Sequence, residues 1–182
     1  MNTSVATQQK IWQLDPMHSK IEFQVSHMVI SNITGFFKNF TGRVVSEGDN
    51  FVNAQVEISI DAASIDTNNE QRDSHLRSEE FLNVEKEPTI TFKSTAVYKR
   101  GENTYQVKGN FSLRGVAKEI ELEVKHNGTI TDPYGNQRAG FELRTEINRK
   151  EYGVNWHAVL DNGGLVAGDM VKINANVEIV QQ

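Results

Sequence analysis

Apolar and polar residues alternate with a period of two along most of this chain, which is the pattern of strands with one buried and one solvated face. The clearest segment is 105–113, where Tyr, Val, Gly, Phe and Leu alternate with Gln, Lys, Asn and Ser. Similar patterns predict eight strands, over residues 21–25, 36–45, 51–61, 89–98, 105–113, 120–124, 141–147 and 171–179. Short turn signals, such as the run Asp132–Asn136, separate most of them, so consecutive strands are expected to pair antiparallel.

Three of these segments are less regular than the rest. Residues 29–35 carry no clear alternation and are predicted to be a connection. The second strand alternates poorly, which predicts a bulge near Thr41 and Gly42. In the fourth strand, Ile90 to Tyr98, the even-numbered residues are predicted to share one face.

The segment from Ser64 to Phe92 interrupts the alternation of strands and turns. The spacing Thr67-x-x-Glu70 predicts a capping box at the start of a helix, and Asp73 and Arg77 have the spacing of an ion pair on the helix surface. This helix is mostly polar, so it is predicted to lie over the strands as a lid. Its expected apolar anchors are Phe81 and Leu82.

Eight consecutive antiparallel strands with one solvated face predict an all-β fold, an eight-stranded up-and-down barrel with a short helical insertion between strands 3 and 4. A β-sandwich has the same alternation and is the alternative. The pattern leaves open whether the barrel is packed or hollow. A chain of 182 residues suits one domain, predicted over 11–182 after a flexible N-terminal segment over 1–10.

Composition narrows the classes of partner. The formal charge of −5 and the absence of a basic stripe argue against a nucleic acid or an anionic membrane surface. The chain has no cysteine, and no apolar run is long enough for an integral membrane segment. The start, MNTSVATQQK, has neither the basic region nor the apolar core of a signal peptide. We therefore expect a cytoplasmic protein, or a periplasmic one if a leader was removed before Met1.

Motifs of catalysis and of metal binding are weak. The five histidines lack the H-x-x-x-H and H-x-H spacings of metal sites, and Ser19 lacks the glycines of a nucleophile elbow. No metal and no cofactor is expected. Arg72, Asp73 and His75 form the most notable polar set. They either fasten the helix to the mouth of the barrel or offer hydrogen bonds to the polar head of a ligand.

Several motifs spread in order along the chain resemble those of the YceI-like polyisoprenoid-binding proteins of bacteria. They are Trp12-x-Leu-Asp-Pro-x-His-Ser19, Phe23-x-Val-x-His27, Gly35-x-Phe-x-x-Phe40-x-Gly42, Ala63-Ser-Ile-Asp-Thr67, Arg72-Asp-x-His-Leu-Arg-Ser-x-x-Phe-Leu82, Pro88-Thr-Ile-Thr-Phe92, Gly109-Asn-Phe-Ser-Leu-Arg-Gly115 and Asn148-Arg-Lys-x-Tyr-Gly-Val-Asn-Trp156. The resemblance implies an extended lipocalin-like barrel around an elongated apolar tunnel. It also implies a long isoprenoid ligand, a polyprenyl chain or an isoprenoid quinone.

On this resemblance we expect a non-catalytic carrier or sequestering protein, which is compatible with a homodimer. The alternative is an enzyme acting on such a lipid, with acid/base residues at the tunnel mouth. The residues expected along the tunnel are Phe23, Val25, Phe37, Phe40, Ile58, Ile60, Leu76, Phe81, Phe92, Val107, Gly109, Phe111, Phe141, Leu143, Trp156, Ile173 and Ala175. Those expected to bind a polar head or to anchor the helix are His27, Arg72, Asp73 and His75.

Overall fold

The strands form a closed antiparallel barrel in the computed structural model of the protein, which describes residues 7–164 and 166–182. The strands are β1 (Gln9–Leu14), β2 (Lys20–His27), β3 (Ser31–Phe37), β4 (Phe40–Glu47), β5 (Asn50–Asp61), β6 (Ile65–Asp66), β7 (Thr89–Lys99), β8 (Thr104–Leu113), β9 (Val116–Thr131), β10 (Gln137–Asn148) and β11 (Ala167–Gln181). Helix α1 spans Glu70–Arg77, and short 3₁₀ helices span Pro16–His18, Ala62–Ser64 and Arg149–Tyr152.

In the described part of the chain, eleven strands occupy eight positions around the barrel, because three positions each hold two consecutive strands. The pairs are β1 with β2, β3 with β4, and β5 with β6. Strand β11 pairs antiparallel with both members of the first pair and thereby closes the barrel. Each position is adjacent to the next one in the chain, so the predicted eight-stranded up-and-down barrel is confirmed and the sandwich alternative is wrong.

Polar side chains cap the breaks within the paired strands. The carboxylate of Asp15 accepts a hydrogen bond from Met17 N at 3.0 Å, where the chain leaves β1. The second break lies at Lys38 and Asn39, whose backbone N–H groups donate to the carbonyl and the hydroxyl of Ser64, each at 3.1 Å. The bulge predicted near Thr41 and Gly42 is placed wrongly, because these residues pair in unbroken register with β5 and the register shift of β4 lies between Val45 and Glu47.

Two glycines in the strands make room for neighbouring side chains. A Cβ on Gly42 would lie 3.0 Å from side-chain carbons of Leu14 and Ile58, so this glycine serves packing rather than a bulge. A Cβ on Gly35 would lie 2.4 Å from the ring of Phe23 on the paired strand. The connection predicted over 29–35 is likewise wrong, because β3 already begins at Ser31.

Strand β7 changes the side on which its residues face. Its pairing with β8 shifts between Ser94 and Ala96, and the hydroxyl of Ser94 accepts a hydrogen bond from Val56 N at 2.8 Å. Beyond this bulge Val97 is buried and Tyr98 is exposed. The single face predicted for Ile90 to Tyr98 is therefore correct only up to Ser94.

The flexible N-terminal segment over 1–10 and the single domain over 11–182 stay predictions. Residues 1–6 of the segment predicted to be flexible lie outside the described residues. Gln9 and Lys10, by contrast, belong to β1 and pair with Glu47 and Ser46. Within the described part of the chain, no helix has the length and apolar character to cross a membrane.

The half of the barrel remote from α1 is packed with side chains. Trp12 is fully buried, and its indole N–H donates to the hydroxyl of Ser46 at 2.8 Å. The ring of Phe51 lies 5.6 Å from that of Trp12 and 5.0 Å from that of Phe141, measured between centroids. The ring of His126 stacks on Phe141 at 4.8 Å, and burial lowers the pKa of this imidazole. These rings fill the interior at that end.

Candidate functional site

A cavity of about 600 Å³ occupies the half of the barrel next to α1. Most of its wall is apolar. It is lined by Ile21, Glu22, Phe23, Val25, Ser26, His27, Ile33, Phe37, Ile60, Ile65, Thr67, Asn69, Gln71, Arg72, His75, Leu76, Phe81, Leu82, Ile90, Phe111, Leu113, Ile147, Arg149, Val154, Trp156, Val166, Ala167, Val171 and Ile173. Ser26, Gln71 and His75 are also exposed to solvent, so the cavity reaches the surface beside β2 and α1. Its volume falls within the range of small-molecule sites in proteins.

Helix α1 and the turn that follows it close this end of the barrel, with Leu76, Phe81 and Leu82 against the cavity. The helix cap differs from the prediction. Asn69 is the N-cap, and its side-chain oxygen accepts a hydrogen bond from Arg72 N at 2.9 Å. The capping box predicted at Thr67 is therefore wrong.

Thr67 instead joins the helix to the strands. Asp73 is buried, and its Oδ1 accepts hydrogen bonds from Thr67 N at 2.9 Å and from Thr67 Oγ1 at 2.5 Å. Arg72 donates from Nε to Thr67 Oγ1 at 2.7 Å and from Nη2 to Thr67 O at 2.8 Å. Two consecutive helix residues thus hold the segment that leaves β6.

The ion pair predicted between Asp73 and Arg77 is absent from the described contacts. Arg77 instead donates from Nε to Ala63 O at 2.9 Å and from Nη2 to Ile65 O at 3.2 Å. These bonds satisfy one backbone carbonyl in the 3₁₀ helix between β5 and β6 and one in β6 itself. The helix is therefore attached to the barrel through Thr67 at one point and through Arg77 at another.

Asp73→Asn is expected to lower the free energy of unfolding by about 1–3 kcal/mol, because a buried charged acceptor of two hydrogen bonds is lost. Glu70→Gln is the matched control, since it removes a carboxylate from the same helix at an exposed position. Its effect should stay within about 0.5 kcal/mol. Urea denaturation of both variants measures the difference, and equal stabilities would contradict the anchoring role of Asp73.

An aromatic cluster borders the cavity where it approaches solvent. The ring of His75 lies 4.9 Å from Phe81 and 5.7 Å from Trp156, and Phe81 lies 5.3 Å from Trp156. His75 Nε2 is 2.5 Å from a carboxylate oxygen of Glu80. The cluster connects α1 and the turn after it to the segment that follows the 3₁₀ helix Arg149–Tyr152.

Arg149 is a buried cation in the cavity wall that the sequence analysis did not identify as a site residue. Its guanidinium donates to Gly168 O and Val154 O at 2.8 Å and to Ala167 O at 3.3 Å. Burial lowers the pKa of this guanidinium, and the charge of Asp169 opposes that shift. The sequence signal that could have identified Arg149 is its charge at a position directly after the regular strand β10. Arg149 fastens the start of β11 to the loop before it.

The structure brings about half of the residues predicted along the tunnel to the cavity. The ones that line it are Phe23, Val25, Phe37, Ile60, Leu76, Phe81, Phe111, Trp156 and Ile173. The ones that do not line it are Phe40, Ile58, Phe92, Val107, Gly109, Phe141, Leu143 and Ala175. Of the polar set, His27, Arg72 and His75 line the cavity and Asp73 does not.

Gly109 illustrates why an inward position need not reach the cavity. A Cβ there would lie 2.4 Å from the ring of Phe92, so that ring already occupies the space beside the glycine. Phe92 in turn pairs with Phe111, which does line the cavity. The elongated tunnel implied by the resemblance is thus a shorter cavity, which ends near the level of Phe92.

Four other lining residues could have been predicted from the sequence pattern. Ile21, Ile90, Leu113 and Ile147 share alternating faces with residues that were predicted. Ile33 lies in the segment 29–35, where the sequence shows no clear alternation. Val154, Val166 and Ala167 lie in or beside irregular segments, where a period of two gives no information.

One cluster outside the cavity has the composition of a metal site. Asp15, His18 and Glu178 offer ligand atoms within 4.8 Å of one another. The guanidinium of Arg138 lies among them, with Nη1 2.9 Å from Asp15 Oδ2 and 2.7 Å from Glu178 Oε1. Hydrogen bonds from His18 and Arg138 lower the pKa of Asp15 to about 2, although burial acts in the opposite direction. The guanidinium of Arg138 thus supplies the positive charge that balances the carboxylates of Asp15 and Glu178.

Comparisons with known proteins agree with the geometry. The family model for the YceI-like domain matches residues 12–179. Protein YceI of Salmonella newport is 38% identical over 180 residues, which covers 99% of this chain and 90% of the relative. The crystal structure of BcnA from Burkholderia cenocepacia aligns with a TM-score of 0.79 and 21% identity, over 91% of this chain and 98% of BcnA. A polyisoprenoid-binding domain from Saccharophagus degradans, implicated in plant cell wall breakdown, aligns with a TM-score of 0.69 and 16% identity, over 94% of this chain and 98% of that domain.

Proposed function

This chain belongs to the YceI-like family, and we propose that it binds a long isoprenoid lipid, a polyprenyl chain or an isoprenoid quinone, without transforming it. The cavity of about 600 Å³ between α1 and the packed half of the barrel carries the proposal. Its strand-borne wall is made mainly of Ile, Val, Leu and Phe side chains. Each methylene that such a wall removes from water contributes about 0.8 kcal/mol.

The distribution of polar groups supports a ligand with a long apolar part and a small polar end. His75, Gln71 and Ser26 lie where the cavity reaches solvent, whereas the side chains that the surrounding strands contribute are mainly apolar. A polar head at this edge keeps its contact with water while the chain lies inside. The Saccharophagus degradans domain of the same fold is described as polyisoprenoid-binding, which supports this class of ligand.

The contacts of the polar set favour a carrier over the alternative, an enzyme that acts on such a lipid. Asp73 does not line the cavity and is bonded to Thr67, so it is poorly placed to exchange protons with a ligand. Arg72 donates to the same residue, and His75 contacts Glu80. These bonds give the three side chains a role in holding the helix.

Mass spectrometry of an organic extract of the purified protein tests the proposal. We expect a lipid of prenyl character, recovered unchanged after incubation of the protein. Delipidated protein should then rebind a prenyl alcohol more tightly than a straight-chain fatty acid of equal carbon number. An extract without lipid, together with no rebinding, would refute lipid binding. A converted lipid would favour the enzyme.

The location and the assembly remain predictions. A cytoplasmic site, or a periplasmic one after removal of a leader, is tested by fractionation of cells that express the full gene. A homodimer is tested by the mass of the protein in solution. Neither outcome changes the proposed ligand class.

A further inference from the structure

Large apolar side chains are concentrated at one exposed point of the barrel, the hairpin tip between β2 and β3. The exposed fractions are 40% for Met28, 67% for Val29 and 88% for Ile30. Val159, at 61%, lies in the loop that packs against this tip. We call these four residues the apolar tip. Exposed apolar clusters of this kind mark surfaces that contact a protein or a membrane.

The backbone of the tip shows that its residue types do not serve the turn itself. Met28 has φ 50° and Val29 has φ 67°, and Ile30 N donates to His27 O at 3.3 Å. Positive φ at both central residues of a hairpin turn strongly favours Asn-Gly, and a β-branched residue there is strained. Asparagine and glycine would suit both the conformation and the solvent better. The apolar side chains thus need a reason other than folding.

The apolar tip is continuous with the mouth of the cavity. Met28 N donates to Val166 O at 2.9 Å, and Val166 lines the cavity. The side chain of Val29 packs over Gly164, where a Cβ would lie 2.9 Å from it. Ser26 and His27, which immediately precede the tip, also line the cavity. A ligand that leaves the cavity beside β2 therefore emerges next to these side chains.

The charges around the tip indicate the kind of surface that it meets. Within 27–34 and 155–164, Asp161 is the one formally charged residue, and neither segment contains lysine or arginine. The whole chain carries a formal charge of −5. Anionic lipids and nucleic acids attract basic residues, so they do not fit this surface. A neutral bilayer accepts apolar side chains without requiring matched shapes or charges.

We propose that the apolar tip inserts into the outer part of a neutral lipid bilayer and brings the mouth of the cavity to the membrane. This rests on the proposed function, because the inserted tip gives an isoprenoid a path from bilayer to cavity that avoids bulk water. Burial of the exposed apolar area of the tip provides the favourable free energy of docking. The docking is reversible, since four side chains bury far less area than a membrane-spanning segment.

Flotation with vesicles of phosphatidylcholine tests the docking. The first variant, Met28→Asn with Val29→Gly, removes two apolar side chains and supplies the residues that the turn favours. The second, Ile30→Asn, changes the most exposed side chain of the tip. Ile130→Asn is the matched control, since Ile130 is 66% exposed on β9 outside the tip.

We expect the unmodified protein and Ile130→Asn to float with the vesicles, and both tip variants to show at least a fivefold lower bound fraction. The melting temperature of Met28→Asn/Val29→Gly should equal or exceed that of the unmodified protein, so that lost binding cannot come from unfolding. Unmodified protein that stays in the aqueous phase overturns the proposal and leaves the tip to a protein partner. Tip variants that float as well as the control also overturn it.

Rebinding of a prenyl alcohol dispersed in detergent separates this proposal from the proposed function. Both tip variants should retain that binding, because the changed side chains do not line the cavity. Loss of flotation with retained rebinding supports docking by the tip. If the unmodified protein floats in a tip-dependent manner but binds no lipid in solution, the docking stands and the proposed function fails.

Discussion

Val171→Trp is expected to weaken the binding of a prenyl alcohol at least about tenfold. Val171 in β11 pairs with Val25 on one side and with Ile147 on the other, and all three side chains line the cavity. An indole there occupies volume that the ligand requires. Exclusion of only two methylenes removes about 1.6 kcal/mol of apolar transfer energy, which already exceeds a tenfold effect. Titration of delipidated protein with the ligand measures the change.

The control for this variant is the same substitution at the preceding residue. Met170 lies on the same strand, is exposed and does not line the cavity. Met170→Trp should bind the prenyl alcohol as the unmodified protein does. Because the indole of Val171→Trp enters empty space, its melting temperature should also stay close to that of the control. Equal affinities of the two variants would show that the ligand lies elsewhere.

Phe92→Ala is expected to deepen the cavity at a large cost in stability. The ring of Phe92 covers Gly109, and Phe92 pairs with the cavity residue Phe111, so its removal should join the space beside the glycine to the cavity. Deletion of a buried phenyl ring lowers the free energy of unfolding by about 3–5 kcal/mol. The variant should shift its preference towards longer prenyl chains, measured by competition between ligands of different length.

Phe141→Ala is the control that separates the loss of stability in Phe92→Ala from its change in preferred chain length. Phe141 is buried to a similar degree, but it packs against Phe51 and His126 in the filled half of the barrel. It should therefore lose a similar amount of stability with no change in preferred chain length. A length preference that shifts equally in both variants would contradict Phe92 as the floor of the cavity.

Period-two alternation predicted the strands but did not separate a barrel from a sandwich, because both folds place every second residue of a strand inside. It does not fix the height at which an inward residue sits, or what lies opposite it. Leu143 and Ala175 face the interior as expected, yet they do not line the cavity. The boundary between the packed and hollow halves depends on rings such as Phe92 that meet across strands, which no local pattern specifies.

The N-cap of α1 shows that capping signals in the sequence have the same limit, because tertiary contacts decide between them. Thr67, Asn68 and Asn69 are three consecutive residues with favourable capping side chains. Asn69 caps the helix because Asp73 and Arg72 bind Thr67. The predicted set of Arg72, Asp73 and His75 was correctly placed on the helix, but which of its members face the cavity depended on this tertiary contact.

The seam that closes the barrel is the pairing of β11 with β1 and β2, and it determines when a ligand can first enter the cavity. It joins residues 12–14 to residues 179–181, and β2 to β11, so its partners are separated by almost the whole sequence. Such pairings have the largest loop-closure entropy and form late in folding. Since β2 and β11 both form walls of the cavity, no enclosed site exists until β11 has left the ribosome and docked. Loading with lipid must therefore follow synthesis of this strand, and a loaded barrel should open along the seam more slowly than an empty one.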